Sequence, residues 1–158
     1  MKRIIAMCAF LLPLAAWAGL EEGIEAYTAG DYTKALAEFQ VLADQGNIEG
    51  QYFLGLFYHN AFGVKRDQTE ALKWFLKAAQ QGDARSQYYA GIMYASGQGV
   101  AKDLAKADMW LSLSAANPKS SYRDSLYTRE EIGKIEKKMT PEQIAQAQEL
   151  AKNWKPQN

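Results

Sequence analysis

The sequence predicts an all-α fold: an α/α superhelical solenoid of stacked antiparallel helix pairs, closed by atypical C-terminal capping helices. The first observation is that residues 82–117 repeat residues 46–81 at a spacing of 36. The second is the helical spacing of apolar residues in each copy. The third is that glycines and an aspartate recur at the same positions of the two copies, between the helical stretches. A fixed period of this length is typical of stacked helix pairs, since each pair has an apolar face that only the next pair can bury. The identical positions are Gly46/Gly82, Gln51/Gln87, Tyr52/Tyr88, Gly55/Gly91, Tyr58/Tyr94, Gly63/Gly99, Val64/Val100, Asp67/Asp103, Ala71/Ala107, Trp74/Trp110 and Ala79/Ala115.

Residues 1–18 predict a secretory signal peptide. Two basic residues precede an apolar run over 4–16, and small residues at 16 and 18 mark a cleavage site near Ala18/Gly19. The run of 13 residues is shorter than a membrane-spanning helix, which needs about 20, so no membrane span is expected and an uncleaved anchor is the weaker alternative. Cys8 follows Met7 inside the run instead of following a small residue, which argues against lipoprotein processing.

Cleavage removes Lys2, Arg3 and Cys8, which leaves 16 basic and 18 acidic residues, a net charge of −2. We therefore expect a protein without disulfides in the periplasm, or secreted. A near-neutral balance argues against nucleic acid as a partner, since nucleic-acid binding requires a basic stripe.

Residues 19–45 predict the first helix pair. A glycine and an aspartate separate two helical stretches, and the pattern resembles a plain tetratricopeptide unit. The residues that carry this resemblance are Gly23, Ile24, Glu25, Ala26, Tyr27, Gly30, Asp31, Tyr32, Ala35 and Phe39.

Each of the copies 46–81 and 82–117 predicts two amphipathic helices. A glycine inside a helix costs about 1 kcal/mol relative to alanine, so Gly55 and Gly91 predict a close approach of the partner helix, opposite the small Ala71 and Ala107. The positions of the first copy that follow this helical spacing are Gln51, Leu54, Gly55 and Tyr58 on its first helix, and Ala71, Trp74, Phe75, Ala78 and Ala79 on its second.

An aspartate marks the start of the second helix in both copies. Asp67 and Asp103 are expected as N-caps, and Glu70 is expected to complete a capping box with Asp67. Gly63 and Gly99 mark the connection between the two helices of each copy.

The C-terminal part divides into a polar break at 118–127 and two capping helices within 128–158. Thr128 to Glu131 predicts a capping box that opens the first of these helices. Thr140 and Gln143 predict another box, with Pro141 at the first helical position. Atypical end units of this kind terminate a stack.

The period, the paired glycines and the Gly-x-Gly-Val-x-x-Asp connection together resemble the Sel-one-like repeat, a relative of the tetratricopeptide repeat. The first copy departs from the pattern at Ala61, the counterpart of Gly97, which predicts a reshaped loop that carries an unusual apolar Phe62. The resemblance covers residues 20–154 and implies a scaffold or adaptor that binds other proteins.

No catalytic, cofactor-binding or metal-binding residue is predicted. His59 is the single histidine of the chain, so a histidine-rich metal cluster is excluded and a catalytic triad would have to use it; a surface or capping role is expected. A β-lactam-hydrolysing activity is attributed to some relatives, but the chain lacks the Ser-x-x-Lys and Lys-Thr-Gly motifs of that chemistry. Some exported relatives are rich in disulfides, and this chain departs from that branch.

The remaining candidate is a binding surface on the concave side, formed by the first helix of each pair. The outward positions predict a ladder of tyrosines flanked by apolar residues, suited to a partner helix, an extended peptide or a toxin domain. Tyr52 and Tyr88 also suit the alternative of packing between neighbouring helices as part of the core. The candidate partner-binding face is Tyr27, Tyr52, Leu56, His59, Tyr88 and Ile92.

The sequence therefore predicts a periplasmic protein-interaction module without chemistry of its own. Two specific forms are an immunity protein that neutralises a toxin and a modulator of envelope machinery. The alternatives are an enzyme that acts on cell-wall or β-lactam substrates, which is disfavoured, and a structural component of the envelope.

Overall fold

The computed structural model describes residues 11–157, with side-chain surroundings from residue 18 onward except at position 122. Within this part of the chain there are eight α-helices and no strand. The all-helical prediction is confirmed. The helices are α1 (Leu11–Thr28), α2 (Tyr32–Asp44), α3 (Ile48–Asn60), α4 (Gln68–Gln80), α5 (Ala84–Ser96), α6 (Leu104–Ala116), α7 (Tyr122–Glu136) and α8 (Pro141–Asn153). Most of the predicted signal peptide lies outside the described residues, and α1 runs across the predicted cleavage site.

Each helix from α1 to α6 packs against the next one along the chain, which builds the expected stack. α1 with α2, α3 with α4 and α5 with α6 are the three antiparallel pairs, and α7 continues the stack on the far side of α6. α8 turns back and also packs against α6. The last two helices therefore cover α6 from two directions.

One glycine in the first helix of each pair allows the second helix to come close, as predicted, but the side chains opposite Gly55 and Gly91 are not the predicted alanines. A β-carbon at Gly55 would lie 2.5 Å from the ring of Phe75. The backbone of α3 at Gly55 therefore packs directly against the Phe75 side chain of α4. The equivalent contacts are Gly23 with Phe39 and Gly91 with Leu111. Since the aromatic partners of Gly23 and Gly55 are 36 residues apart but the glycines only 32, the first pair has the same packing with a connection four residues shorter.

The second helix of each copy begins at the predicted N-cap. The backbone N–H of Glu70 donates to the Asp67 carboxylate at 2.9 Å, and Lys106 does the same to Asp103 at 3.0 Å. The predicted capping box at Asp67 is wrong, because the return bond is not made. The Asp67 N–H donates to the Tyr58 carbonyl at 3.1 Å, and the Glu70 carboxylate pairs with Lys73 at 2.9 Å.

The loop after α3 keeps the geometry of the loop after α5, which corrects the prediction of a reshaped loop at Ala61. Ala61 ends α3 in the left-handed conformation with φ 62° and ψ 40°, and Gly97 ends α5 with φ 72° and ψ 33°. The tertiary contacts of the loop therefore impose on alanine a conformation that usually needs glycine.

Phe62 is part of the first hydrophobic cluster. Its ring stacks on Tyr32 with 4.9 Å between centroids and meets Tyr27 edge-on at 5.7 Å. Phe62 is partly buried by these contacts. An exposed docking role for Phe62 is therefore not needed to explain an apolar residue in this loop.

The helix α7 begins seven residues earlier than predicted, at Tyr122, because its N-cap is Ser121 and not Thr128. Thr128 lies inside this helix, is 3% exposed and donates its hydroxyl to the Asp124 carbonyl at 2.8 Å. The predicted capping box at Thr128 is therefore wrong, and the polar stretch at 118–127 is mostly helical. Polar residues misled the prediction because the first turns of α7 face the solvent on most sides.

The prediction for α8 is confirmed at its start. The Thr140 hydroxyl accepts from the Gln143 N–H, the Gln143 side chain accepts from the Thr140 N–H at 2.9 Å, and Pro141 occupies the first turn. Ala147 is buried, and Trp154 meets Trp110 of α6 edge-on at 6.3 Å.

Candidate functional site

A groove of about 820 Å³ lies on the side of the stack formed by α3, α5 and α7. These are the first helices of successive units, so the groove is on the face where the sequence predicted a partner. Residues at the beginning of each of the three helices line it, together with the connection between α4 and α5. The tyrosines that line it are Tyr52, Tyr88, Tyr89 and Tyr127.

Arg85 joins α3 to α5 at the rim of the groove. Its guanidinium donates to Glu49 at 2.7 Å and to its helix N-cap Asp83 at 3.0 Å. The same guanidinium lies 4.1 Å from the ring centroid of Tyr52, within the range of a cation–π contact. Two carboxylates and one aromatic face therefore hold this arginine in a single orientation.

Tyr52 and Tyr88 are half-buried, and their hydroxyls stay protonated. Burial raises the pKa of Tyr52 to about 12, with the neighbouring Tyr89 adding to the rise and Arg85 opposing it. Burial also raises the pKa of Tyr88, and its interaction with the Tyr127 hydroxyl adds to that rise. Both tyrosines therefore offer a neutral hydroxyl and an aromatic edge to the groove at any physiological pH.

Aromatic rings form a continuous row across the first helices of the units. Tyr52 lies 6.2 Å from Tyr89 of α5, and Tyr88 lies 6.0 Å from Tyr127 of α7. Within α5 the two tyrosines are 5.8 Å apart, and Phe53 joins Tyr52 at 5.5 Å. The row is thus built from two adjacent positions of α3 and of α5 and one position of α7, not from the single position predicted.

Tyr27 does not belong to the same row as Tyr52 and Tyr88, which corrects the predicted ladder. Tyr52 and Tyr88 each precede the close-packing glycine of their helix by three residues, whereas Tyr27 follows Gly23 by four. Tyr27 therefore lies about two helical turns away from the expected level. It packs in the first hydrophobic cluster, 5.9 Å from Phe53 and from Phe57.

The other three members of the predicted face lie outside the groove. Leu56 and Ile92 are half-buried and pack against the second and third hydrophobic clusters. His59 is half-buried, with its Nδ1 donating to Gln68 Oε1 at 2.9 Å and its ring edge-on to Tyr89 at 5.8 Å. The histidine thus ties the end of α3 to the start of α4.

Tyr89 and Tyr127 are groove residues that the sequence reasoning missed. An aligned aromatic pair was visible, since Phe53 and Tyr89 are 36 residues apart, but no role was predicted for this position. Tyr89 stacks on Phe75 at 4.6 Å and also lines the groove. Tyr127 was missed because its segment was predicted to be a break between helices.

The described residues show no arrangement for metal chemistry. No group of three or more His, Cys, Asp or Glu side chains comes together in residues 11–157. Over the same part of the chain no helix combines the length and the apolarity that crossing a membrane requires. The groove offers hydroxyls, aromatic faces and fixed charges, which suit binding.

Comparison with known proteins agrees with this geometry. The family model described as the Sel1 repeat matches residues 48–83 and 84–118, and no curated protein matches the chain significantly. A solved structure of c5321, described as a protective antigen of uropathogenic Escherichia coli with an SLR fold, is similar at 30% identity and a TM-score of 0.80, over 88% of this chain. A Sel1 repeat protein from Oxalobacter formigenes is similar at 27% identity and a TM-score of 0.63, over 84% of this chain.

Both solved proteins are longer than this chain, which spans 29% of the first and 54% of the second. Each matched range begins two residues after the corresponding predicted copy, at the first residue of α3 or α5. The predicted resemblance to the Sel-one-like repeat is confirmed: the chain contains two Sel1 repeats, at residues 48–83 and 84–118, and has an SLR fold.

Proposed function

We propose that this chain is an exported adaptor that binds a segment of a partner protein in the groove between α3, α5 and α7. Sel1 repeats are in general protein-interaction modules. The observation that carries the proposal is the row of tyrosines at the groove, which ends at Tyr127. This ring is 53% exposed, beside Leu126 at 48%, and large exposed aromatic rings in a groove are typical anchors for a partner.

The location outside the cytoplasm is the second part of the proposal. Its support is the signal-peptide pattern of residues 1–18, together with the packing of α1. Gly19 lies beside Leu42, and Leu20 packs against the first hydrophobic cluster. Cleavage before Gly19 would therefore leave these contacts of α1 with α2 in place. The similar Escherichia coli protein is described as a protective antigen, which agrees with a location that antibodies reach.

The test compares two neighbouring exposed residues of α7. Tyr127 lines the groove and Leu126 does not, although both side chains are about half exposed. The protein, Tyr127→Ala and Leu126→Ala are used as baits in envelope extracts, after circular dichroism has shown equal folding. We expect a stoichiometric partner that Tyr127→Ala loses and Leu126→Ala retains, because truncating an aromatic anchor residue costs about 2 kcal/mol or more.

The identity of the captured partner then separates the specific forms of the proposal. A toxin would indicate an immunity protein, and a cell-wall or envelope enzyme would indicate a modulator. A partner retained equally by both variants would place the binding surface away from the groove. Mass spectrometry of the mature N-terminus tests export separately, with Gly19 expected as the first residue.

A further inference from the structure

The contact between Arg85 and Tyr52 is an internal example of how this groove holds a cation. Arg85 is the second residue of α5, and it covers the ring of Tyr52 on the preceding first helix, α3. The carboxylates of Glu49 and Asp83 complete the site. An aromatic face with carboxylates beside it is the chemistry that selects a guanidinium or an ammonium group.

The same position one unit later lacks this cover. Tyr88 corresponds to Tyr52, since both lie five residues after the N-cap of their helix, and Arg123 of α7 corresponds to Arg85. Among the described residues, however, no cation lies over the ring of Tyr88, and Tyr127 approaches it instead. The connection between α6 and α7 is the cause. It has five residues, against three between α4 and α5, so α7 enters the stack in a different register.

The charges that line the groove favour a cationic occupant. Three carboxylates, Glu49, Asp83 and Asp124, and two cations, Arg85 and Lys119, line it, which leaves one net negative charge. Glu49 and Asp83 are already engaged by Arg85. Asp124 lies in the first turn of α7 and lines the groove together with Tyr88 and Tyr127, and its one described side-chain contact is the Ser121 hydroxyl at 2.6 Å. Asp124 is thus the carboxylate that remains for an incoming cation.

We propose that the part of the groove bounded by Tyr88, Tyr127 and Asp124 binds an arginine or lysine side chain of the partner segment. The guanidinium or ammonium group lies against the Tyr88 ring as Arg85 lies against Tyr52, and Asp124 accepts its hydrogen bonds. This site deepens the proposed function and rests on it, since it states what the partner must present. Lys119 lines the same groove, and its positive charge weakens the binding of the incoming arginine or lysine side chain.

The test is a nuclear magnetic resonance titration of the purified full chain with three acetylated and amidated tripeptides: glycyl-arginyl-glycine, glycyl-glutaminyl-glycine and glycyl-glutamyl-glycine. We expect the arginine peptide alone to shift the amide signals of Tyr88, Asp124 and Tyr127 in a saturable way. Asp124→Asn weakens this binding several-fold, because it removes the counter-charge. Glu130→Gln, which changes an exposed carboxylate of α7 outside the groove, leaves it unchanged.

Lys119→Gln shows whether the groove prefers a cationic or an anionic side chain of the partner. Removing this cation strengthens the binding of the arginine peptide several-fold if the proposal is correct. Binding of the glutamate peptide at the same amides, lost in Lys119→Gln, overturns the proposal in favour of an acidic partner. Equal shifts with all three peptides, or none, overturn it as well. If the captured partner still depends on Tyr127 in that case, the proposed function stands without the cation site.

Discussion

Single residues show where the two repeats differ in strain. Ala61 has φ 62°, the one positive φ of a non-glycine residue within the described part of the chain. The left-handed conformation costs an L-residue roughly 1–2 kcal/mol, and the repeat places glycine at the same level in the next copy.

Ala61→Gly is therefore expected to stabilise the protein. The strain energy relieved in the folded state exceeds the free-energy cost of the greater flexibility that glycine gives to the unfolded chain. The free energy of unfolding therefore rises by about 0.5–1 kcal/mol. The reciprocal change, Gly97→Ala, costs a similar amount although a β-carbon at that position has room, with its nearest neighbours 3.5 Å away. Urea unfolding of both variants measures the pair, and a loss of stability in Ala61→Gly would contradict the strain.

Two equivalent glutamines differ in their hydrogen bonds. Gln51 Oε1 accepts from Gln81 Nε2 at 2.8 Å, whereas Gln87 Oε1 is buried without a described donor. Asn117 stands where Gln81 would be one copy later. Its side chain is one methylene shorter and donates to the Gly82 carbonyl at 2.9 Å, so it does not serve Gln87.

Methionine at the two positions is expected to have unequal effects. Gln51→Met breaks a good buried hydrogen bond and destabilises the fold by about 1 kcal/mol. Gln87→Met removes an unsatisfied oxygen and loses only a long bond to Ala79, at 3.3 Å, so its stability changes little or rises. Thermal unfolding of both variants gives the comparison, and equal losses would show that the Gln87 oxygen has a partner.

At the scale of helices, the junction of α6 with α7 carries a buried carboxylate. Asp108 is 3% exposed, and Ser112 donates to it at 3.2 Å. In the first copy Leu72 occupies the equivalent position, 36 residues earlier. Burial raises the pKa of Asp108 above its ordinary value of 3.8, and the field of Glu136 on α7 adds to the rise. The folded protein binds this proton more tightly than the unfolded chain does. The contribution of the protonated carboxyl to the free energy of unfolding is therefore lost as the pH rises through the raised pKa.

Asp108→Asn is expected to be more stable than the original protein at pH 7 and to lose this part of the pH dependence. The amide keeps the shape and carries no charge, so the advantage shrinks as the pH falls, and it is smallest below pH 3.8, where the original carboxyl becomes protonated in both states. Urea unfolding between pH 3.5 and pH 7 measures the difference. Glu136→Gln serves as the matched control and should recover a smaller part of the gain. An advantage of Asp108→Asn that grows in acid would reverse the assignment.

For the whole molecule, α8 and the tail after it connect the two repeats. Trp154 packs on Trp110 of α6 and lies beside Gly82, at the start of the second copy. The Gln157 N–H donates to the Gln80 carbonyl at 2.8 Å, which ties the tail to the end of α4. A short solenoid has only nearest-neighbour contacts, so a segment that reaches across two units adds cooperativity.

Trp154→Ala is therefore expected to lower the free energy of unfolding by about 2 kcal/mol, less than for a fully buried tryptophan. It should also expose the C-terminal helix to proteolysis before the rest of the chain unfolds. Limited proteolysis followed by mass spectrometry measures this, with Leu150→Ala as the control because Leu150 is 38% exposed on the same helix. Equal resistance of Trp154→Ala and the original protein would show that α8 is held mainly by other contacts.

The sequence by itself determined the repeat and its interior. The close-packing glycines, the aspartate N-caps and the buried Trp74 and Trp110 are as predicted. These features depend on residues three, four or 36 positions apart, and contacts at such fixed separations are visible as periodicity.

Only the tertiary structure decided what lies in the groove. Two connections of different length, 81–83 and 117–121, set the register in which α5 and α7 enter the stack. That register brings Tyr127 of α7 to Tyr88, whereas Arg85 of α5 covers Tyr52. Tyr27 is partly buried and packs against the first hydrophobic cluster. A change of one or two residues in a connection rotates a whole helix, since successive side chains point about 100° apart. Which residues meet at the surface between units therefore depends on packing that no local pattern records.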